Sequence, residues 1–304
     1  MSIVAAPGVL DVAPEVAAAL AAGRPVVALE STIVAHGMPW PRNLETARML
    51  EAEVRAGGAV PATIAILDGR LRVGLDPSAL ERLAKDGTVA KASRRDIAAL
   101  VASGGSGATT VSATMAIAAM AGIAVFATGG IGGVHRGVES TMDVSADLYE
   151  FARTPVAVVC AGAKSILDIP RTLELLESLG VPVIGYRTDE FPAFYARTSG
   201  RKVDRRCETA GEIAALLAAQ RRLGFGGVLV ANPIPAEHAL DAASIEATIA
   251  EAMLEADRRG IRGADITPFL LARLNDLTKG ASLAANIALV RSNAALAAEI
   301  SAAL

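Results

Sequence analysis

Apolar and polar positions in this chain follow two alternating patterns. Short runs rich in Val, Ile and Thr at 25–29, 63–67, 123–128, 156–160, 181–186 and 227–231 have the length and continuity of strands buried on both faces. Between them lie Ala-, Leu-, Glu- and Arg-rich segments of helical period at 43–56, 77–85, 109–121, 171–179, 211–223, 244–259 and 282–301. Strands alternating with helices predict a three-layer α/β/α sandwich around a mostly parallel central sheet. No linker, repeat or shift in composition interrupts the pattern, so residues 1–304 are expected to form a single domain. The charged stretch 204–208 reads as a solvated turn.

Composition narrows the function. Half of the 304 residues are apolar, enough for a large core. The 29 basic and 32 acidic residues nearly cancel, which removes the electrostatic footprint of a nucleic-acid binder and favours a small-molecule partner. The two cysteines, Cys160 and Cys207, lack the spacing of a zinc site and are too few for a disulfide framework, so a reducing, cytoplasmic setting is expected. No basic segment precedes an apolar stretch at the N-terminus, and the apolar runs elsewhere are broken by Gly or charge. Neither an export signal nor a membrane span is therefore expected.

Several strand ends carry candidate chemistry. Lys164 follows the run 156–160 in V-V-C-A-G-A-K-S-I-L-D, where an amine delivered into a turn can attack a carbonyl or an opened sugar; a solvated lysine at a strand end is the competing reading. A P-loop does not fit, because Ala163 stands where that motif requires glycine directly before the lysine. Glu30 ends the first strand in A-L-E-S-T-I-V-A-H-G-M-P, at the sheet edge where open α/β folds bind ligands; it is a candidate acid or base, and a turn-capping carboxylate is the competing reading. His36 in the same loop has no evident partner.

Three glycine- and oxygen-rich stretches extend the set. S-G-G-S-G-A-T-T-V-S-A-T-M sets glycines before a helix start bearing Thr109, Thr110 and Ser112, suited to an anion or to ordinary capping. A-T-G-G-I-G-G-V-H-R-G follows Thr128 without the register of a dinucleotide fingerprint, and leaves His135 and Arg136 beside a close backbone approach. Asp143 and Asp147, with Ser145 between them, suit a hard divalent cation; a helix N-cap is the competing reading. Lys91 could meet a phosphate or hydroxyl, and Asn286 is a polar residue in an apolar helical stretch that needs a partner.

Together, A-L-E-S-T-I-V-A-H-G-M-P, T-G-G-I-G-G-V-H-R, V-C-A-G-A-K-S-I-L-D-I-P-R-T-L-E, D-E-F-P-A-F-Y, A-N-P-I-P and S-L-A-A-N-I-A-L-V closely resemble the pseudouridine-5′-phosphate glycosidase family, in order and over essentially the whole chain. The resemblance implies reversible cleavage of the C–C glycosidic bond of pseudouridine 5′-phosphate to uracil and ribose 5-phosphate. It also implies a divalent metal, usually Mn²⁺ with Mg²⁺ as an alternative, and a homotrimer of α/β/α subunits. It assigns Lys164 as nucleophile and Schiff-base former, Glu30 as proton donor and acceptor, and Asp143 as metal ligand. Lys91, Val111 through its backbone, Ser145, Ala146 and Asp147 match substrate-binding positions, and Thr128, His135 and Asn286 are placed by their segments. The remaining alternatives are a hydrolase or transferase acting on another ribose-phosphate or nucleoside, and a non-catalytic sugar-phosphate sensor.

Overall fold

The computed structural model describes residues 8–261 and 266–304; the first seven residues, part of the N-terminal segment in which no export signal is expected, lie outside the described residues. An eleven-stranded sheet organises the chain. Its continuous path from one edge runs Arg205–Cys207, Val183–Tyr186, Val228–Ala231, Ala157–Cys160, Val125–Ala127, Val26–Leu29 and Val60–Leu67, all parallel. Arg70–Val73 then joins antiparallel and Leu10–Val12 closes the far edge. The strand Val60–Leu67 divides its pairing: its first half bonds to Val26–Leu29 and its second half to Gly107–Thr109, which in turn carries Ala90–Ala92. The last contact brings Lys91 to the edge occupied by Glu30.

Helices cover the sheet. Ala281–Ala302 lies along the three strands Val26–Leu29, Val125–Ala127 and Ala157–Cys160, flanked by Arg42–Ala56 and Ala210–Arg222. Val111–Ala121 packs on Val26–Leu29, Val60–Leu67 and Val125–Ala127 and is buried from Val111 through Ala118. Its small side chains let the helix sit close to strands that are themselves fully buried, the arrangement that permits parallel pairing. Helix boundaries follow local chemistry: Asp76 caps Pro77–Lys85 by accepting from the backbone of Ser78 and Ala79, and Asp168 caps Ile169–Ser178 by accepting from Arg171 N. Burying Leu80 and Leu83 of the first of these helices contributes about 1.5–3 kcal/mol per side chain.

The predicted sandwich is thus observed and each predicted strand and helix has a counterpart; Leu10–Val12, Pro14–Ala21, Arg70–Val73, Ala90–Ala92 and Ile97–Ser103 are further elements, and two stretches differ from their reading. Residues 204–208 are not a turn: Arg205–Cys207 forms the parallel edge strand, burying Cys207 while Arg205 and Arg206 face outward, and those charges blunt the open edge. The glycine-rich turn does not run straight into a helix at 109: Gly104 ends the preceding helix in the left-handed conformation, Gly107–Thr109 forms a strand paired with Ala65 and Ile66, and the helix begins at Val111.

Candidate active site

Parallel strands end on one edge, so the residues just past them converge. Leu29 is in register with Ala127, and Ala127 with Val159. The next residues, Glu30 and Thr128, are therefore neighbours, and Thr128 Oγ1 donates to Glu30 Oε1 at 2.5 Å. Thr32 Oγ1 lies 2.5 Å from Glu30 Oε2 and 3.1 Å from the carbonyl of Thr109. Glu30 is buried at 8% exposure, with a hydroxyl on each oxygen.

Glu30 forms one wall of a cleft lined also by Thr32, Ile33, His36, Lys91, Gly129, Gly130, Lys164, Phe194 and Asn286. Lys164 arrives from the next strand: its backbone N donates to the Ile131 carbonyl at 3.0 Å, locking the segment after Cys160 against the glycine loop. A side chain at Gly130 is excluded, because a Cβ there would sit 2.6 Å from the Phe194 ring. Phe194 itself adopts a left-handed backbone (φ 61°), fixed by its N–H to the Ala161 carbonyl. Asn286 projects from the buried face of Ala281–Ala302, with its Oδ1 3.3 Å from where a Gly129 Cβ would stand. The helix thereby brings its polar residue to the cleft, which accounts for an amide in an otherwise apolar stretch.

Deeper in, two asparagines brace the loop. Asn293 Nδ2 donates to the Thr128 carbonyl at 2.8 Å, and Asn232 Nδ2 donates to Asn293 Oδ1 at 2.9 Å. Both are buried, and neither was singled out from sequence as a site residue. Asn293 stands seven residues after Asn286 on the same helix face, so the reasoning that marked Asn286 would have found it too. Cys160 is fully buried, and burial pushes its thiol up to about 12, so it does not compete with Lys164 as a nucleophile.

The remaining sequence candidates take other places. Val111 is the first residue of its helix and is buried, while Ser112 N donates at 2.9 Å to Asp147 Oδ1. Gly132 N donates at 2.8 Å to the other Asp147 oxygen. Asp147 is therefore a clamp between the glycine loop and a helix N-terminus, with each oxygen accepting from a backbone donor. Ser145 accepts from Asp147 N at 3.2 Å and caps Ala146–Phe151, the competing reading at that position; Ala146 is the first residue of that helix. The hydroxyl of Thr109 donates internally to the Ile64 carbonyl at 2.7 Å, so it does not serve an anion as read from sequence.

His135 and Asp143 lie beside the cleft, with His135 Nδ1 4.0 Å from Asp143 Oδ2. Burial pushes the His135 imidazole below its usual range; Asp143 opposes this, and Lys91 and Lys164 add to it. Asp143 is 43% exposed, and no cluster of three His, Cys, Asp or Glu side chains able to hold a metal occurs among the described residues. One exposed carboxylate fits a hydrated divalent ion, which keeps several waters and takes one or two protein carboxylates.

Comparison with known proteins decides the family. The model of a family described as "Indigoidine synthase A like protein" matches residues 15–303. The pseudouridine-5′-phosphate glycosidase of Sorangium cellulosum is 64% identical over 97% of this chain and 93% of its own length. This chain belongs to the pseudouridine-5′-phosphate glycosidase family. Another member, from Caldanaerobacter subterraneus subsp. tengcongensis, is 60% identical over 96% of this chain and 95% of its own length. Among solved structures, the prealnumycin C-glycosynthase AlnA, in complex with ribulose 5-phosphate, superposes with a TM-score of 0.91 at 46% identity, covering 98% of each chain. Family membership extends over the whole cleft, from Glu30 to Asn286.

Proposed function

We propose that this protein cleaves the C–C glycosidic bond of pseudouridine 5′-phosphate, reversibly, to give uracil and ribose 5-phosphate. The observation that carries this is the meeting of an amine, Lys164, and a hydroxyl-bonded carboxylate, Glu30, in one cleft. A C-glycoside has no leaving oxygen to protonate, so the paired-carboxylate scheme of O-glycosidases is insufficient.

On this reading Lys164 Nζ bonds to C1′ as the C1′–O4′ bond breaks, and O4′ takes a proton. The nitrogen lone pair then forms a C=N bond as C1′ separates from the uracil C5, and that carbon receives a proton in place of the sugar. Water hydrolyses the imine, releasing ribose 5-phosphate and free Lys164. Glu30 is placed to move both protons, with Thr32 and Thr128 as hydroxyl partners that can donate to or accept from its oxygens. Lys91, Asn286 and the Val111 N–H are assigned to substrate oxygens, with Asn286 and Lys91 lining the cleft. Ser145, Ala146 and Asp147 are likewise assigned to the substrate, with Asp147 also holding Gly132 of the glycine loop against the start of the helix that begins at Val111.

A divalent ion, Mn²⁺ or Mg²⁺, would be held by Asp143 with water and would supply positive charge for substrate oxygens. Assembly as a homotrimer and a cytoplasmic location are part of the same reading. The location is supported by two free, buried cysteines, and no helix among the described residues is long and apolar enough to cross a membrane.

The test is uracil release from pseudouridine 5′-phosphate, with uridine 5′-phosphate in parallel, for wild type and Lys164→Ala under Mn²⁺. Uracil from the C-nucleotide alone, lost in the variant, together with a borohydride-reduced ribose 5-phosphate adduct on Lys164, is expected. Uracil release that survives Lys164→Ala would overturn the imine, and release from uridine 5′-phosphate alone would favour a nucleoside hydrolase.

A further inference from the structure

A second cavity adjoins the catalytic cleft and shares His36, Gly37 and Asn286 with it. It lies between the loop following Thr32–Ala35 and the helices Ile266–Leu277 and Ala281–Ala302, with Met38, Tyr195 and Leu283 giving it flat apolar surface. Its polar residues have an unusual property. Among the described residues, the buried side-chain atoms without a hydrogen-bond partner are His36 Nε2, Asn275 Oδ1 and Ser165 Oγ, and the first two belong to residues lining this cavity. Buried polar atoms are ordinarily paired, so two such atoms around one cavity call for a ligand.

Both atoms are acceptors. Asn275 Oδ1 is a carbonyl oxygen. The Ala90 and Val89 carbonyls lie beside the His36 ring, and a neutral ring that gives its one N–H to them keeps a lone pair on Nε2. Burial, with the charge of Lys91 adding to it, holds the imidazole below its usual range and favours that neutral form.

We propose that this cavity seats the uracil ring, with His36 Nε2 and Asn275 Oδ1 accepting its ring N–H groups. The inference rests on the function proposed above. Uracil attached through C5 keeps both ring N–H groups, whereas uracil attached through N1 has lost one. A pair of unpartnered acceptors therefore distinguishes a C-nucleotide from its N-linked isomer, because the wrong isomer leaves one buried acceptor unsatisfied. The shared wall at His36 and Asn286 keeps the ring next to Glu30, which must deliver a proton to its carbon.

The reaction run in the synthetic direction separates the base site from the sugar site. For Asn275→Ala the half-saturating uracil concentration is expected to rise on the order of tenfold, with the borohydride-reduced ribose 5-phosphate adduct on Lys164 formed as in wild type; Asn275→Asp, which keeps an acceptor, is expected to recover part of the loss. On the unaltered protein, 1-methyluracil and 3-methyluracil should compete with labelled uracil more weakly than unlabelled uracil does. Unchanged uracil saturation in both Asn275→Ala and His36→Ala, or parallel loss of the sugar adduct, would overturn the proposal. So would methyluracils that compete as well as uracil, an arm that holds even if a variant does not fold. A wild type that forms no adduct and no C-nucleotide would refute the enzymatic reading itself and this inference with it.

Discussion

Glu30 and Asp147 are both buried carboxylates near the same sheet edge, at 8% and 5% exposure, yet their surroundings suit them to different work. Glu30 meets two hydroxyls, from Thr32 and Thr128. Asp147 meets two backbone N–H groups, from Ser112 and Gly132. A hydroxyl can donate or accept, so the Glu30 shell serves the carboxylate and the carboxylic acid alike. A backbone N–H only donates, so gaining a proton on Asp147 would set hydrogen against hydrogen. This shell suits the proton-carrying role proposed for Glu30, whereas Asp147 holds a helix and a loop together.

The largest effect that would sharpen this contrast is on turnover. Glu30→Gln keeps a side chain of the same shape that both threonines can bond, but it cannot shuttle a proton. A fall in kcat of about 10²–10⁴ is expected, measured as uracil release under saturating substrate, with little change in melting temperature. Retained turnover would remove Glu30 as the proton carrier.

Asp143 extends the comparison to a third carboxylate, exposed and facing an imidazole. If Asp143 holds the ion as proposed, Asp143→Asn raises the Mn²⁺ concentration needed for half-maximal activity by at least about tenfold. Unchanged metal activation would place the ion elsewhere.

A smaller effect concerns His36. Its folded-state imidazole titrates below the unfolded value of 6.5, first because of burial and then because of Lys91. Below pH 6.5 the unfolded chain binds a proton that the folded chain resists, so this residue's contribution to stability is complete above that pH and declines as pH falls toward the folded value. Thermal melts between about pH 7 and about pH 5.5 should show this decline, and His36→Asn should flatten it. An unchanged slope would mean that other groups set the dependence.

These contrasts also separate features that local sequence conveys from those it hides. The β-branched runs announced the strands and set Glu30 and Lys164 each at a strand end, while their joint roles came with the family resemblance; parallel pairing then carries both to one edge. Lys91 and Asn286 also reach that cleft. Asp147 could not be read locally, because its role depends on Ser112, 35 residues away, and an acidic residue near Asp143 looks the same whether it binds metal or clamps backbone. The brace from Asn232 through Asn293 to Thr128 likewise spans three distant segments. Phe194 belonged to the quoted D-E-F-P-A-F-Y stretch, but only the backbone turn at positive φ reveals that its ring closes over Gly130.

The most direct test of the division of labour is to measure melting temperature and uracil release per folded molecule for Asp147→Asn beside Glu30→Gln. An amide at Asp147 turns one acceptor into a donor facing a backbone N–H, at a cost of about 1–3 kcal/mol. The account predicts that Asp147→Asn melts lower yet turns over substantially when folded, while Glu30→Gln melts like wild type and is nearly inactive. An Asp147→Asn protein that melts like wild type but releases no uracil would contradict it.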